Sequence, residues 1–191
     1  AAGHTSPITV SGGALELAST ASVTGTVTIA RGASLYGTGT AASIIVNKDG
    51  RLYGGVESSP TGTLRASSLT LNTGATLVVR LGSTSGNSRF TVSGRIVHFS
   101  DTLLVQIPEG RVLTEGMELP VFNSGFTGAT GTPVVKTVAA DGADYTWDAS
   151  LLNTEGKLIL QAVTTTVDRL SSSHELVDVC TTDGLLLRSG V

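Results

Sequence analysis

The sequence predicts an all-β fold, a β-solenoid closed by a C-terminal β cap, and three observations predict it. The first is a phrase that recurs along the first half of the chain: two β-formers flanking one residue, a polar turn, Gly-Ala or an equivalent, and then Leu. It reads Val27-Thr28-Ile29-Ala30-Arg31-Gly32-Ala33-Ser34-Leu35-Tyr36, then Ile44-Ile45-Val46-Asn47-Lys48-Asp49-Gly50-Arg51-Leu52-Tyr53, then Leu69-Thr70-Leu71-Asn72-Thr73-Gly74-Ala75-Thr76-Leu77-Val78. Shorter copies open at Ile8 and Phe90, which sets steps of 19, 17, 25 and 21 positions. A loose period of about 20 residues with strand-like content marks a solenoid, in which each rung buries its apolar side only against its neighbours. The second observation is composition. Of 191 residues, 24 are Gly and only 14% are charged, against about 25% charged in an ordinary domain. With 40% hydrophobic residues, this describes many short strands and tight turns rather than disorder. The third is that no segment between residues 8 and 81 sustains a helical period.

Residues 1–89 are expected to form the coils. Alternate strand residues share a face, so Val27, Ile29 and Leu35 should enter one core, as should Ile44, Val46 and Leu52. Leu71 should be buried in the same way. Glycines belong at the corners, where positive φ is often needed. From Arg89 the repeat decays, and strands are predicted at residues 90–92, 95–99 and 103–107, the last ended by Pro108-Glu109-Gly110. Three more are predicted at 119–122, 134–138 and 157–163. An open solenoid end is an edge that would recruit other chains, so residues 90–163 are assigned to the last coils and a cap. Residues 164–173, with Thr164-Thr165-Thr166 and Ser171-Ser172-Ser173, read as a linker, and 174–191 as a partial hairpin.

Composition excludes several functions. Net charge is −3 and no basic cluster or interleaved aromatic stripe occurs, which argues against a nucleic-acid groove. No apolar run reaches the roughly 20 residues that span a bilayer. The chain opens at Ala1 without a charged segment followed by an apolar one, so any signal sequence is expected to lie outside it and the chain reads as a fragment or processed piece. Cys180 is the one cysteine, which removes an internal disulfide and a cysteine zinc site and leaves a small buried hydrophobe.

Candidate chemistry is sparse. A polysaccharide lyase needs a base and a cation facing one groove. Arg31 and Lys48 are equivalent in the repeat and would stack on one outer face, but the next copy has Thr73 there and Asp49 is the nearby acid, so a solvated turn column is expected. Tyr36 and Tyr53 are also equivalent, with Arg51 close by. Two rings on successive rungs can form a flat face for sugar stacking, with Arg bonding hydroxyls, or a ladder that protects the sheet; both readings stay open. His4, His98 and His174 are scattered without second ligands, His98 reading as an outward strand residue, and Asp141-Gly142-Ala143-Asp144 reads as a turn rather than a calcium loop. No metal, no cofactor and no catalytic residue is assigned.

The run from Leu69 to Ala162 resembles the end of bacterial passenger domains built from autotransporter-associated β-strand repeats. The resemblance rests on order: the coil Leu69-Thr70-Leu71-Asn72-Thr73-Gly74-Ala75-Thr76-Leu77, then Phe90-Thr91-Val92-Ser93-Gly94, then Leu103-Leu104-Val105. Gly116-Met117-Glu118-Leu119-Pro120-Val121-Phe122 follows, then Thr146-Trp147-Asp148, and finally Gly156-Lys157-Leu158-Ile159-Leu160. Over residues 8–163 it implies a right-handed parallel β-helix in a secreted or surface protein. Residues 175–191, with an Asp183-Gly184 hairpin turn, resemble the opening of a C-terminal sorting domain of type IX secretion, although Cys180 stands where an aromatic is usual. Asp101-Thr102-Leu103 resembles the O-glycosylation acceptor of bacteria that use that route, which would make Thr102 the modified residue; the alternative is a plain strand start. These resemblances imply a location outside the cell or on the outer-membrane surface of a Gram-negative bacterium. The expected function is a non-catalytic structural module of a larger surface protein, a stalk or adhesin-like scaffold whose partners are its own parent's domains and a glycan or host surface component. The alternative is a carbohydrate-binding or ancillary module of a secreted polysaccharide lyase or hydrolase, and the third reading is a remnant of that enzyme.

Overall fold

Each polar corner returns the chain to a strand that pairs with the one a rung earlier, and the fold is built by repeating that step. A computed structural model describes residues 3–94, 96–97, 102–123 and 132–165. From its first strand to its eighth the chain alternates between two sheets. The first holds β1 (Ile8–Val10), β3 (Ser22–Ile29), β5 (Thr40–Val46), β7 (Thr63–Leu71) and β10 (Ile96–Val97), with β9 (Arg89–Val92) also on β7. The second holds β2 (Ala14–Leu17), β4 (Ser34–Gly37), β6 (Arg51–Tyr53), β8 (Thr76–Arg80), β11 (Thr102–Ile107) and β13 (Val134–Ala139). Every pairing in both sheets is parallel.

Parallel register turns sequence positions into columns. In the first sheet Ile8, Val27, Ile44, Leu69 and Ile96 align, and so do Val10, Ile29, Val46 and Leu71. In the second the column is Leu15, Leu35, Leu52, Leu77, Leu103 and Val135. Val27, Ile29, Leu35, Ile44, Val46, Leu52 and Leu71 are all buried, where the alternation places them. The corners repeat as well. Ala33, Gly50 and Ala75 each donate their backbone N–H to the carbonyl three residues back, and the residue before each, Gly32, Asp49 and Gly74, has φ of 73°, 60° and 85°. That is the backbone of a type II turn, whose third position favours Gly or a short polar residue.

One copy of the phrase is out of register. Phe90 was expected to align with Leu69, but Leu69 pairs with Ile96, and Phe90 pairs with Leu64 near the start of β7. The nine-residue β7 carries two short strands on one edge, split at Ser93-Gly94, where a Cβ on Gly94 would lie 2.4 Å from the Ser67 carbonyl oxygen. Phe90 is held instead by Phe122, its ring centroid 6.0 Å away.

After β11 the chain also forms an antiparallel sheet, β12 (Glu118–Pro120), β15 (Lys157–Thr164) and β14 (Asp144–Asp148). A one-turn helix, α1 (Leu152–Glu155), ends on Gly156 at φ 74°. This layer shares the apolar core: Leu119, Leu152, Leu158 and Leu160 are buried among the same residues as the parallel columns. Asn87 fastens it to the parallel layers, donating from Nδ2 to the Ser88 and Pro120 carbonyls at 2.7 and 2.6 Å. β15 runs through Thr164, the first residue of the expected linker, and residues 166–191, with the expected hairpin, lie outside the described residues. No helix among the described residues is long and apolar enough to cross a membrane.

Gly37 pairs with Leu17 at φ 141°, and a Cβ there would sit 2.1 Å from the Leu17 carbonyl oxygen. Gly37→Ala should therefore cost at least about 2 kcal/mol in chemical denaturation, as strain plus overpacking predict. Gly12→Ala, with no atom within 4 Å of the added methyl, should change stability by less than about 0.5 kcal/mol. Equal effects would refute the close rung-to-rung approach.

Candidate functional site

Successive strand residues point to opposite faces, so the positions between the core leucines form a grid on the outer face of the second sheet. One column there is Ser34, Arg51, Thr76, Thr102 and Val134. The next runs Glu16, Tyr36, Tyr53, Val78, Leu104 and Lys136, where Tyr36 and Tyr53 are one residue beyond the registered pair Leu35 and Leu52. A third holds Arg80, Gln106 and Val138. The structure thus brings together Tyr36, Tyr53 and Arg51, the residues predicted from sequence, on one face and on adjacent rungs.

Their surroundings differ. Both tyrosines are half-buried and Arg51 is exposed. The Tyr36 hydroxyl is pushed above its ordinary pKa, chiefly by partial burial and then by the Glu16 carboxylate beside it, as a charge and as a hydrogen-bond acceptor. The ring pair in contact among the described residues is Phe90 with Phe122, not Tyr36 with Tyr53. Tyr53 instead carries the Arg80 guanidinium, whose carbon lies 5.4 Å from the ring centroid, within cation–π range. Arg80 donates from Nη2 to the carbonyls of Gly54 and Val56 at 3.1 and 3.2 Å, which pins the loop after β6 to β8. Burial pushes the Arg80 pKa down, and no carboxylate among the described residues lies within ion-pair distance of it. Beside it opens a cavity of about 310 Å³ lined by Pro60, Leu81, Gln106, Ile107, Pro108 and residues 138–140 at the end of β13.

The other candidates are tied into the fold. Arg31 Nε reaches Asp49 Oδ2 at 3.0 Å across adjacent corners, an exposed pair of little energetic weight. The Lys48 stem lies against Gly74, where a Cβ would come within 2.8 Å of it. Thr102 opens β11 between Thr76 and Val134, half-buried and facing outward. His4 pairs through its backbone at the sheet edge. His98, His174, Cys180 and Asp101 lie outside the described residues. Among the described residues no three His, Cys, Asp or Glu side chains cluster as metal ligands would.

A wider cleft, about 610 Å³, lies between β13 and β14 and is lined by Pro133, Val135, Tyr145, Trp147, Asp148 and Gln161 among others. Trp147 donates its indole N–H to Thr137 Oγ1 at 3.0 Å, closing the last rung from below. Asp141 accepts from the Tyr145 hydroxyl at 2.6 Å and from the Ala143 N–H at 3.1 Å, so this stretch is the turn the sequence predicts.

Comparison of the chain with family models, with characterised proteins and with solved structures gives no match. The chemistry must therefore be read from the site itself. Sequence reasoning missed Arg80, although parity places it on the same face as Val78 and hence as Tyr53. It also missed Tyr145 and Trp147 as a pair, because they act on β13 from an antiparallel layer that the repeat does not describe.

Burial, then the Asp141 hydrogen bond, raises the Tyr145 hydroxyl to about 12. An unfolded tyrosine ionises near 10, so Tyr145 adds stability below that pH, and the contribution falls as pH rises from about 10 towards 12. In an alkaline absorbance titration Tyr145 should ionise in a late step near pH 12, and Tyr145→Phe should remove that step. A wild-type titration complete by about pH 11 would contradict the hydrogen bond.

Proposed function

We propose that the chain is a non-catalytic structural β-solenoid module, a right-handed parallel β-helix, belonging to a larger secreted or cell-surface bacterial protein that it serves as a stalk or adhesin-like scaffold. The observation that carries this reading is the unbroken core columns: one Leu, or Val at the last rung, from each strand of the second sheet, matched by Ile, Val and Leu in the first. Alternation between two parallel sheets from β1 to β8 supports a coil, and crossover connections between parallel strands are right-handed in about 98% of cases. The charged corner residues support it further, since Arg31 and Asp49 spend their charges on each other. The resemblance to autotransporter-associated repeats, the sorting-domain-like residues 175–191 and the acceptor-like Thr102 support a place outside a Gram-negative cell or on its outer membrane.

A second reading rests on one observation, that Tyr36 and Tyr53 stand half-exposed on neighbouring rungs with Arg51 on the same face. Such a face suits a carbohydrate-binding or ancillary module of a secreted polysaccharide lyase or hydrolase.

Three experiments test these readings. A solenoid accepts another rung, so inserting a second copy of residues 30–46 after Val46 should give a protein that still unfolds cooperatively; loss of the fold would overturn the solenoid. Incubation with pectins and glycosaminoglycans should release no unsaturated or reducing ends, and measurable turnover would sink the structural reading. On a glycan array, binding lost in the Tyr36→Ala/Tyr53→Ala double variant, at about 1 kcal/mol per ring, would favour the second reading over the first.

A further inference from the structure

Arg80 is the one wall residue of its cavity that carries a charge; Gln106 is polar, and Pro60, Leu81, Ile107, Pro108, Val138, Ala139 and Ala140 are apolar. A cation drawn partly out of water is ordinarily matched by an anion or fully hydrogen-bonded. Arg80 is neither. Its Nη2 serves the Gly54 and Val56 carbonyls, its face lies on Tyr53, and its Nε–H is buried with no partner. Glu57, the carboxylate whose charge acts on it, is exposed and does not reach ion-pair distance. Position 80 also departs from the repeat: further along its column come Gln106 and Val138, so no rung-to-rung charge ladder requires an arginine there.

We propose that Arg80 and the cavity beside it form a binding site for a small carboxylate with a hydrocarbon body. The guanidinium takes the carboxylate, and the Leu81, Ile107, Pro108 and Val138 walls take the body. A sugar acid fits less well, because its hydroxyls would meet apolar carbon and find only Gln106 as a neutral side-chain partner. The site lies on the same outer face as Tyr36 and Arg51, in a neighbouring column, and does not depend on either functional reading.

The test is a backbone amide NMR titration of the full chain with benzoate, with benzyl alcohol as its uncharged counterpart and with glucuronate as a polar-bodied carboxylate. Benzoate should shift the amides of Leu81, Gln106, Ile107 and Ala139, and bind about tenfold or more tightly than either comparator. Arg80→Gln should weaken benzoate about tenfold. Because Arg80 also holds the loop at Gly54 and Val56, Val138→Trp serves as a second variant: Val138 is 58% exposed, so the change should spare the fold while filling the cavity mouth and abolishing the shifts. Benzyl alcohol or glucuronate binding as tightly as benzoate, benzoate binding untouched by both variants, or no localised shifts at about 10 mM benzoate would each overturn the proposal.

Discussion

Parallel in-register pairing is the constraint on which the rest of this structure depends. Strands stacked about 4.8 Å apart place each residue against the same position of the rung above and below, so the choice of residue is made for a column rather than for a site. A buried Leu gains roughly 1.5–3 kcal/mol over an exposed one, but here it does so only if its neighbours in the column are apolar too. The ends of the columns show the corollary. Leu15 and Ile8, on the edge strands β2 and β1, are half-buried while their partners Leu35 and Val27 are fully buried. At the far end Val135 and Thr137 are covered by a different kind of layer, the antiparallel strands that carry Tyr145 and Trp147.

The same constraint organises the polar positions. Asn72 donates to Asn47 at 2.8 Å and Ser68 to Ser43 at 3.1 Å, each across one rung. At the corners the backbone links rungs as well, Gly32 donating to the Asp49 carbonyl and Asp49 to that of Gly74. Asp49 is the corner residue that holds positive φ without being Gly, and its carboxylate takes Arg31 from the corner before it. The charges that invite a catalytic reading are therefore accounted for by corner geometry.

What was legible in the sequence follows from this physics. The core columns were legible because a two-residue alternation and a fixed Leu leave a trace in any copy of the phrase. The placement of Tyr36, Tyr53 and Arg51 on one face was legible for the same reason, since parity and repeat position decide it. The Phe90 register was not, because sequence likeness cannot reveal that β7 is long enough to carry two strands, nor that Phe122, distant in sequence, would hold the ring. The helix α1 spans one turn, too short to leave a period, and the pairing of β14 with β15 is antiparallel, outside the logic of the repeat.

Where a column is regular, the fold itself explains the residue, so function is best sought where a column breaks for no structural gain. Tyr36 and Tyr53 are one break: their column passes from Glu16 through two aromatics to the buried Val78 and then Leu104, and an aromatic pair on an outer face can be armour as easily as a platform. Arg80 is the sharper break. Its two bonds to the loop carbonyls could be made by a neutral donor, which would avoid the cost of drawing a cation out of water. The stacking on Tyr53 returns part of that cost, since cation–π contacts contribute about 0.5–2 kcal/mol, but it leaves the Nε–H buried and unpaired, a deficit of about 1–3 kcal/mol. A loop staple alone explains the side chain's reach but not its charge, and Arg80 lines a cavity whose other walls are almost entirely carbon.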